Sequence, residues 1–270
     1  MRIGNRDFAT QGKTYCMGIL NVTPDSFSDG GKFNNRDQAL KHVEQMLTDG
    51  MDVLDIGGES TRPGHQQISI QEEIERVTPV IELVKKEFEL PISLDTYKPE
   101  VAKAGIEAGA DLINDIWGLK YDSKMAALIA ESGLPCCLMH NRNEAVYQNF
   151  MQEVAADLAD TIHLAKKAGI EDEKIILDPG VGFGKTYEQN LEVMNCMDEL
   201  LVLGYPILLG SSRKSVIGLT LDLPVGERLE GTLATTVLAV MKGCMFVRVH
   251  DVKENVRAIR MTEAILHAGR

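Results

Sequence analysis

Three side chains with acceptor chemistry, Asp95, Asn114 and Asp178, each close a short apolar run, in the stretches ISLD, LIND and IILD. Three basic ones, Lys214, Arg248 and His250, follow similar runs nearer the C-terminus. The first set suits the edge of a flat heterocycle, because a carboxylate can accept two parallel N–H bonds from an N–C–N face. The second set suits an anion. At a net charge of −12 the chain needs such a local basic cluster to attract one. A ring pocket beside an anion pocket is the simplest chemistry these residue types serve.

Other strand-end positions carry Asn21, Asp55 with Glu59, Asp115, His140, Ser211, Ser212 and Asp251. A lone Asp after an apolar run is more often a turn or helix-cap residue than a catalyst. That bland reading weakens when every run ends in such a group. No serine or cysteine triad stands out, and the six histidines include no i, i+4 pair of the kind that holds zinc on a helix. Five cysteines without a C-x-x-C, two of them adjacent at Cys136 and Cys137 in an apolar run, fit reduced thiols in a cytoplasmic protein.

Three loops accompany these groups. NVTPDSFSDGG begins at Asn21 and holds Asp25, several hydroxyls and one phenyl ring, Phe27. GGESTRPG, from Gly57, carries Thr61, Arg62 and Pro63 and reads as a second lid. DPGVGFGKT, from Asp178, resembles a phosphate loop, but Pro179 occupies a place that needs glycine. Lys185 likewise stands where a dinucleotide fingerprint has its third glycine. The stretch therefore reads as a close-approach loop beside a ligand, with Phe183 able to pack on an aromatic substrate.

The elements that position these residues alternate strictly. Non-alternating apolar runs at Tyr15–Leu20, Val53–Ile56, Ile92–Leu94, Leu112–Ile113, Pro135–Met139, Ile175–Leu177, Ile207–Leu209 and Met245–Val249 read as strands buried on both faces. Helical spacing follows each, over Asn35–Thr48, Ser69–Phe88, Pro99–Ala108, Ser123–Glu131, Phe150–Ala168, Tyr187–Leu203, Gly226–Met241 and Val252–His267. Most of these stop at a glycine, and Ser69 with Glu72 forms a capping-box pattern. Eight strand–helix repeats in a 270-residue chain predict an α/β fold, a (β/α)8 TIM barrel. The open doubly wound sheet is the alternative. Arg2–Lys13 predicts a short N-terminal β-hairpin plugging the barrel bottom, and no composition break divides the single domain, 1–270. The acidic balance argues against nucleic acid and membrane surfaces, and no apolar run nears the ~20 residues of a bilayer span.

Taken in order, MGILNVTPDSFSDGG (from Met17), DIGGESTRPG (from Asp55), SLDTYKPEVA (from Ser93), INDIWG (from Ile113), LMHN (from Leu138), ILDPGVGFGKT (from Ile176), SSRKSVIG (from Ser211) and RVHDV (from Arg248) strongly resemble the dihydropteroate synthase family of pterin-binding barrels. The resemblance touches all eight strand ends. It implies a transferase that joins (7,8-dihydropterin-6-yl)methyl diphosphate to 4-aminobenzoate, releasing diphosphate and 7,8-dihydropteroate for folate synthesis, with Mg2+, a homodimer and sulfonamide competition. By the same resemblance Asp178, Asn114 and Asp95 hold the pterin, Met139 packs nearby and Lys214 reaches the ring carbonyl. Thr61, Arg248 and His250 bind the diphosphate, Val249 also binds substrate, and Asn21 contacts the metal. Phe27, Thr61, Arg62, Pro63, Phe183 and Ser212 shape the aminobenzoate pocket, with Asp25, Phe27 and Arg62 on moving loops.

The chemistry fits those types. An arylamine is a weak nucleophile, so the barrier must fall on the electrophile. Early C–O cleavage spreads positive charge into the pterin, where fixed carboxylates stabilise it. Two rivals share the ring pocket: a barrel that transfers a folate methyl group to a corrinoid protein, and a non-catalytic pterin binder. Neither needs the basic corner of Lys214 and Arg248 together with Asn21.

Overall fold

The structure, a computed structural model, describes residues 1–22, 32–60 and 67–269, with the backbone alone over 32–36. The chain opens with a hairpin of β1 (Arg2–Ile3) and β2 (Arg6–Asp7), tighter than the predicted Arg2–Lys13. Its apolar side chains turn inward: Ile3 and Phe8 are buried, and Phe8 stacks within 4.9 Å of Tyr15 and 5.6 Å of Phe246. The hairpin does plug the barrel bottom, because its two apolar side chains complete an otherwise open floor.

Eight parallel strands follow: β3 (Tyr15–Asn21), β4 (Val53–Gly57), β5 (Ile92–Asp95), β6 (Leu112–Asp115), β7 (Cys136–Met139), β8 (Ile175–Asp178), β9 (Leu208–Leu209) and β10 (Phe246–Val249). They pair in the order β8-β7-β6-β5-β4-β3-β10-β9. A parallel bridge from Leu177 to Ile207, with Leu177 N–H donating to Pro206 O at 2.9 Å, joins the two ends. The sheet is thus a nearly closed barrel, as its both-sides-buried strands require.

Around it run α1 (Lys32–Thr48), α2 (Ile70–Glu87), α3 (Pro99–Ala108), α4 (Lys124–Ser132), α5 (Phe150–Ala168), α6 (Tyr187–Asn195), α7 (Ser215–Leu221), α8 (Leu229–Met241) and α9 (Val252–His267). None of these helices is long and apolar enough to cross a membrane. Ser69 caps α2 by accepting from Glu72 N–H at 3.1 Å. The reciprocal half of a capping box forms instead at α6, between Thr186 and Gln189.

Two helical segments depart from expectation. Tyr187–Leu203 is broken at Cys196, beyond which Met197–Leu203 winds as a 3-10 helix. Ahead of α8, Ser215–Leu221 forms an extra helix, too short to show a period in sequence. It ends where Asp222 adopts φ 55, and Pro224 prevents its continuation.

Two cores result. The larger packs the outer faces of the strands against the helices. The smaller fills the barrel interior with Met17, Val53, Leu112, Cys137, Ile176, Leu208 and Phe246 above Ile3 and Phe8. Side chains alternate along a strand, so the residue two places beyond each floor residue also points inward. Those residues include Asp55, Asn114, Met139, Asp178, Gly210 and Arg248. A polar layer therefore lies directly on an apolar one.

Candidate active site

The polar layer opens into a cavity lined by Asp95, Asn114, Ile116, Met139, Asp178, Phe183, Gly210, Lys214 and Arg248. Sheet register assembles one wall. Asn21 is paired with Gly57, Gly57 with Asp95, and Asp95 with Asn114, a row across four neighbouring strands. Gly57 leaves that row open between its polar neighbours: a Cβ there would stand 3.8 Å from Asn21 Oδ1 and 3.7 Å from Asp95 Oδ2.

Arg248, in the polar layer on β10, spans two carboxylates. Its Nε donates to Asp55 Oδ2 and its Nη2 to Asp95 Oδ2, both at 2.6 Å. Ser93 Oγ donates to the second Asp55 oxygen at 2.5 Å, so Asp55 is fully engaged beneath the pocket. Asp95 is not: among the described residues its Oδ1 is the one buried side-chain polar atom with no hydrogen-bond partner. Leaving such an acceptor unpaired costs about 1–3 kcal/mol. Burial raises the Asp95 carboxyl above its ordinary range, against the pull of Arg248. Burial also opposes the Arg248 charge, but Asp55 and Asp95 hold the guanidinium above its usual value.

Across the cavity, Asp178 Oδ1 accepts from Gly180 N–H at 2.7 Å, while Oδ2 lies on the side of Gly210. Burial raises this carboxyl too, with Lys214 opposing. Lys214 Nζ donates to Val181 O at 2.5 Å and sits 4.6 Å from the centre of the Phe183 ring. Burial lowers its ammonium to about 8, against the attraction of Asp178. In formal charge, the two lining carboxylates, Asp95 and Asp178, match the Lys214 ammonium and the Arg248 guanidinium, with Asp55 paired beneath them.

The Gly180–Lys185 loop is held from several sides. Gly180, Gly182 and Gly184 have φ of 72°, 86° and 54°. Two of these glycines answer to the neighbouring backbone, not to a ligand: a Cβ on Gly180 would fall 1.9 Å from His140 O, and one on Gly184 2.4 Å from Arg142 O. Gly182 alone faces the site, 3.2 Å from Lys214 Cδ by the same construction. Lys185 Nζ donates to Gly180 O at 3.0 Å and Phe183 O at 3.1 Å, and lies 2.7 Å from His140 Nδ1. The His140 ring is wholly buried, with Nε2 at 2.9 Å from Asp157 on α5. Burial, then the Lys185 charge, lowers His140 to about 3, so the ring is neutral; burial lowers Lys185 to about 7.

Two further supports were not singled out in sequence. Arg213, at φ 57, pairs through Nε and Nη2 with Asp251, bracing the turn before Lys214. Lys98 Nζ donates to Glu59 at 2.6 Å, Glu73 at 2.7 Å and Ile68 O at 2.9 Å, fastening the chain on both sides of 61–66. Their partners lie far away in the chain, so no local pattern marks them.

The structure thus brings together Asp95, Asn114, Met139, Asp178, Phe183, Lys214 and Arg248, and sets Asn21 beside the same row. Ser212 is buried against His250, accepting its backbone N–H at 3.2 Å and lying 3.0 Å from Nδ1. Val249 faces away from the barrel, into the outer core. Asp25, Phe27, Thr61, Arg62 and Pro63 lie outside the described residues.

Known proteins are similar to this chain over nearly its whole length. The pterin binding enzyme family matches residues 17–250. A dihydropteroate synthase of Clostridium beijerinckii is 60% identical over 98% of this chain and 99% of its own. The Clostridium difficile enzyme, solved in the presence of pteroic acid, superposes with a TM-score of 0.92 at 50% identity, over 98% of each chain. The Xanthomonas albilineans enzyme in complex with 7,8-dihydropteroate gives 0.87 at 38% identity, over 95% of each. With the family matched across the barrel and its relatives this similar over nearly full length, the chain belongs to the dihydropteroate synthases, transferases of the pterin-binding enzyme family.

Proposed function

We propose that this barrel condenses (7,8-dihydropterin-6-yl)methyl diphosphate with 4-aminobenzoate to give 7,8-dihydropteroate and diphosphate, by a dissociative substitution at the pterin methylene. The carrying observation is Asp95 Oδ1, a buried acceptor without a partner among the described residues, on the wall of the cavity that Asn114, Met139, Asp178, Phe183 and Lys214 also line. A pterin N–H supplies the missing donor. Asp178, on the opposite wall, accepts from the N–H and amino edge, Asn114 from a further ring nitrogen, and Lys214 donates to the ring carbonyl. Met139 and Phe183 cover the faces. The Xanthomonas albilineans relative, which holds 7,8-dihydropteroate, supports the same choice of ligand.

As the C–O bond lengthens, positive charge spreads into the pterin, and the fixed carboxylates Asp95 and Asp178 stabilise it without reorganisation. The leaving diphosphate withdraws toward Arg248, His250 and Thr61. The amine then attacks the methylene carbon and loses its proton, from a site formed by Phe27, Arg62, Pro63, Phe183 and Ser212. Asn21, an amide oxygen at the rim of the row, suits Mg2+, which takes few protein ligands beside phosphate oxygens and water. Asn21 would hold Mg2+ there, and the ion would offset negative charge on the diphosphate. Val249 contributes at most its backbone.

A homodimer fits the surface. Leu191 on α6, Val202 on the 3-10 segment, Leu219 on α7 and Met241 on α8 are exposed apolar residues on elements that pack together. Val202 is 84% exposed, the most of any large apolar residue described, and a second copy seated on these elements would bury it. Incubation with both substrates and Mg2+, followed by an assay of diphosphate and 7,8-dihydropteroate, tests the reaction. Diphosphate formed only when both organic substrates are present supports synthesis; none, or hydrolysis alone, overturns it.

A further inference from the structure

We propose that Lys185 is a positioning residue of the pterin pocket, gripping the loop that carries Phe183 from the side opposite Lys214. An ammonium has three N–H groups. Here it meets three acceptors: Gly180 O at 3.0 Å, Phe183 O at 3.1 Å and His140 Nδ1 at 2.7 Å. The match also assigns the imidazole. Nδ1 accepts from Lys185, so Nε2 carries the hydrogen donated to Asp157 at 2.9 Å. Asp157 is in turn held by Arg142 Nε at 2.6 Å.

The remaining loop bonds complete the grip. Val181 O accepts from Lys214, Gly184 O from Tyr147 Oη at 2.7 Å, and Gly182 N–H donates to Asn190 Oδ1 at 2.5 Å. Among the described residues Lys185 is the one side chain that binds both the turn beside Asp178 and the carbonyl of Phe183 itself. It touches no part of the cavity. Its effect on the ligand therefore passes through the Phe183 ring and through the Gly180 N–H that restrains Asp178 Oδ1. Loss of the ammonium leaves two loop carbonyls without this donor and frees the ring from its place over Lys214.

This rests on the reading of the cavity as the pterin site, and the wild-type arm of the test examines that reading by itself. The probe is 6-hydroxymethyl-7,8-dihydropterin, titrated calorimetrically against wild type, Lys185→Met, His140→Leu and His140→Asn. Both histidine variants lose the Asp157 bond, but Asn can return a carbonyl oxygen near the position of Nδ1. Outer supports of a site are worth about 10–100-fold. Lys185→Met and His140→Leu are expected to weaken pterin binding by about tenfold, with KM for 4-aminobenzoate rising, while His140→Asn recovers most of the affinity. A purely structural lysine would lower thermal stability and active fraction without moving the dissociation constant of the folded protein. Wild-type affinity in folded Lys185→Met overturns the proposal. If that variant does not fold, His140→Leu and His140→Asn binding alike overturns it instead. Failure of wild type to bind the probe would overturn the pterin reading, a distinct result.

Discussion

Arg248 and Asp95 meet through one hydrogen bond, Nη2 to Oδ2 at 2.6 Å, which leaves the other Asp95 oxygen buried and unpaired. The guanidinium fixes the carboxylate's orientation but not its full acceptor capacity. A ligand N–H then finds an acceptor already desolvated and aimed, and the ordering is done before binding.

Asp95→Asn can place a donor where the pterin N–H must go. Pterin affinity should fall by about 1–3 kcal/mol. Asp178→Asn should act similarly, because Gly180 N–H already engages one of its oxygens. Calorimetry with the pterin alcohol checks both, and unchanged affinity in both variants would sink the ring assignment.

Arg248→Ala should damage the fold as well as catalysis. It strips partners from two buried carboxylates, and breaking a buried pair by removing one side costs about 3–5 kcal/mol. Adding Asp55→Asn to the same chain should recover part of that loss in urea unfolding. Binding of the pterin alcohol should weaken along with that of the diphosphate, since Arg248 lines the ring cavity. An alanine variant as stable as wild type would contradict the paired geometry.

Two loop glycines separate fold from site. Gly180→Ala forces a Cβ to 1.9 Å from His140 O at φ 72°, so large destabilisation is expected. Gly182→Ala meets only the flexible Lys214 stem at 3.2 Å and should alter pterin affinity more than melting temperature, despite its φ of 86°. Differential scanning calorimetry beside ligand titration distinguishes them. The reverse ranking would refute the assigned contacts.

His140 should make stability depend on pH. Burial, with Lys185 beside it, lowers the folded value to about 3 from 6.5. Between those values the unfolded chain takes up the proton and the folded one does not, so stability falls as pH drops through that window. The contribution approaches about 1.4 kcal/mol per pH unit. Urea unfolding of wild type and His140→Asn at several pH values measures it, with Asp157 and Lys185 still present in both. An identical pH slope in the two proteins would exclude the neutral, buried ring.

Much of the site was legible because it follows strand alternation. Val53 and Asp55, Leu112 and Asn114, Ile176 and Asp178, Phe246 and Arg248 are each two apart on one strand, the first on the barrel floor and the second in the polar layer. Lys185 and His140 were present in the motifs, but nothing local joins residues 45 apart in sequence. The extra helix α7 and the break at Cys196 were missed because short turns lack a period to read.

By itself the sequence determined the alternation of strands and helices, the polar strand ends and the family they resemble, because these depend on neighbours a few residues apart. Only the tertiary structure decided that Arg248 closes on Asp55 and Asp95, 193 and 153 residues away, and that Lys214 turns to the loop. Register across a closed barrel sets which carboxylate oxygens are consumed and which one waits, and register is a property of the whole sheet.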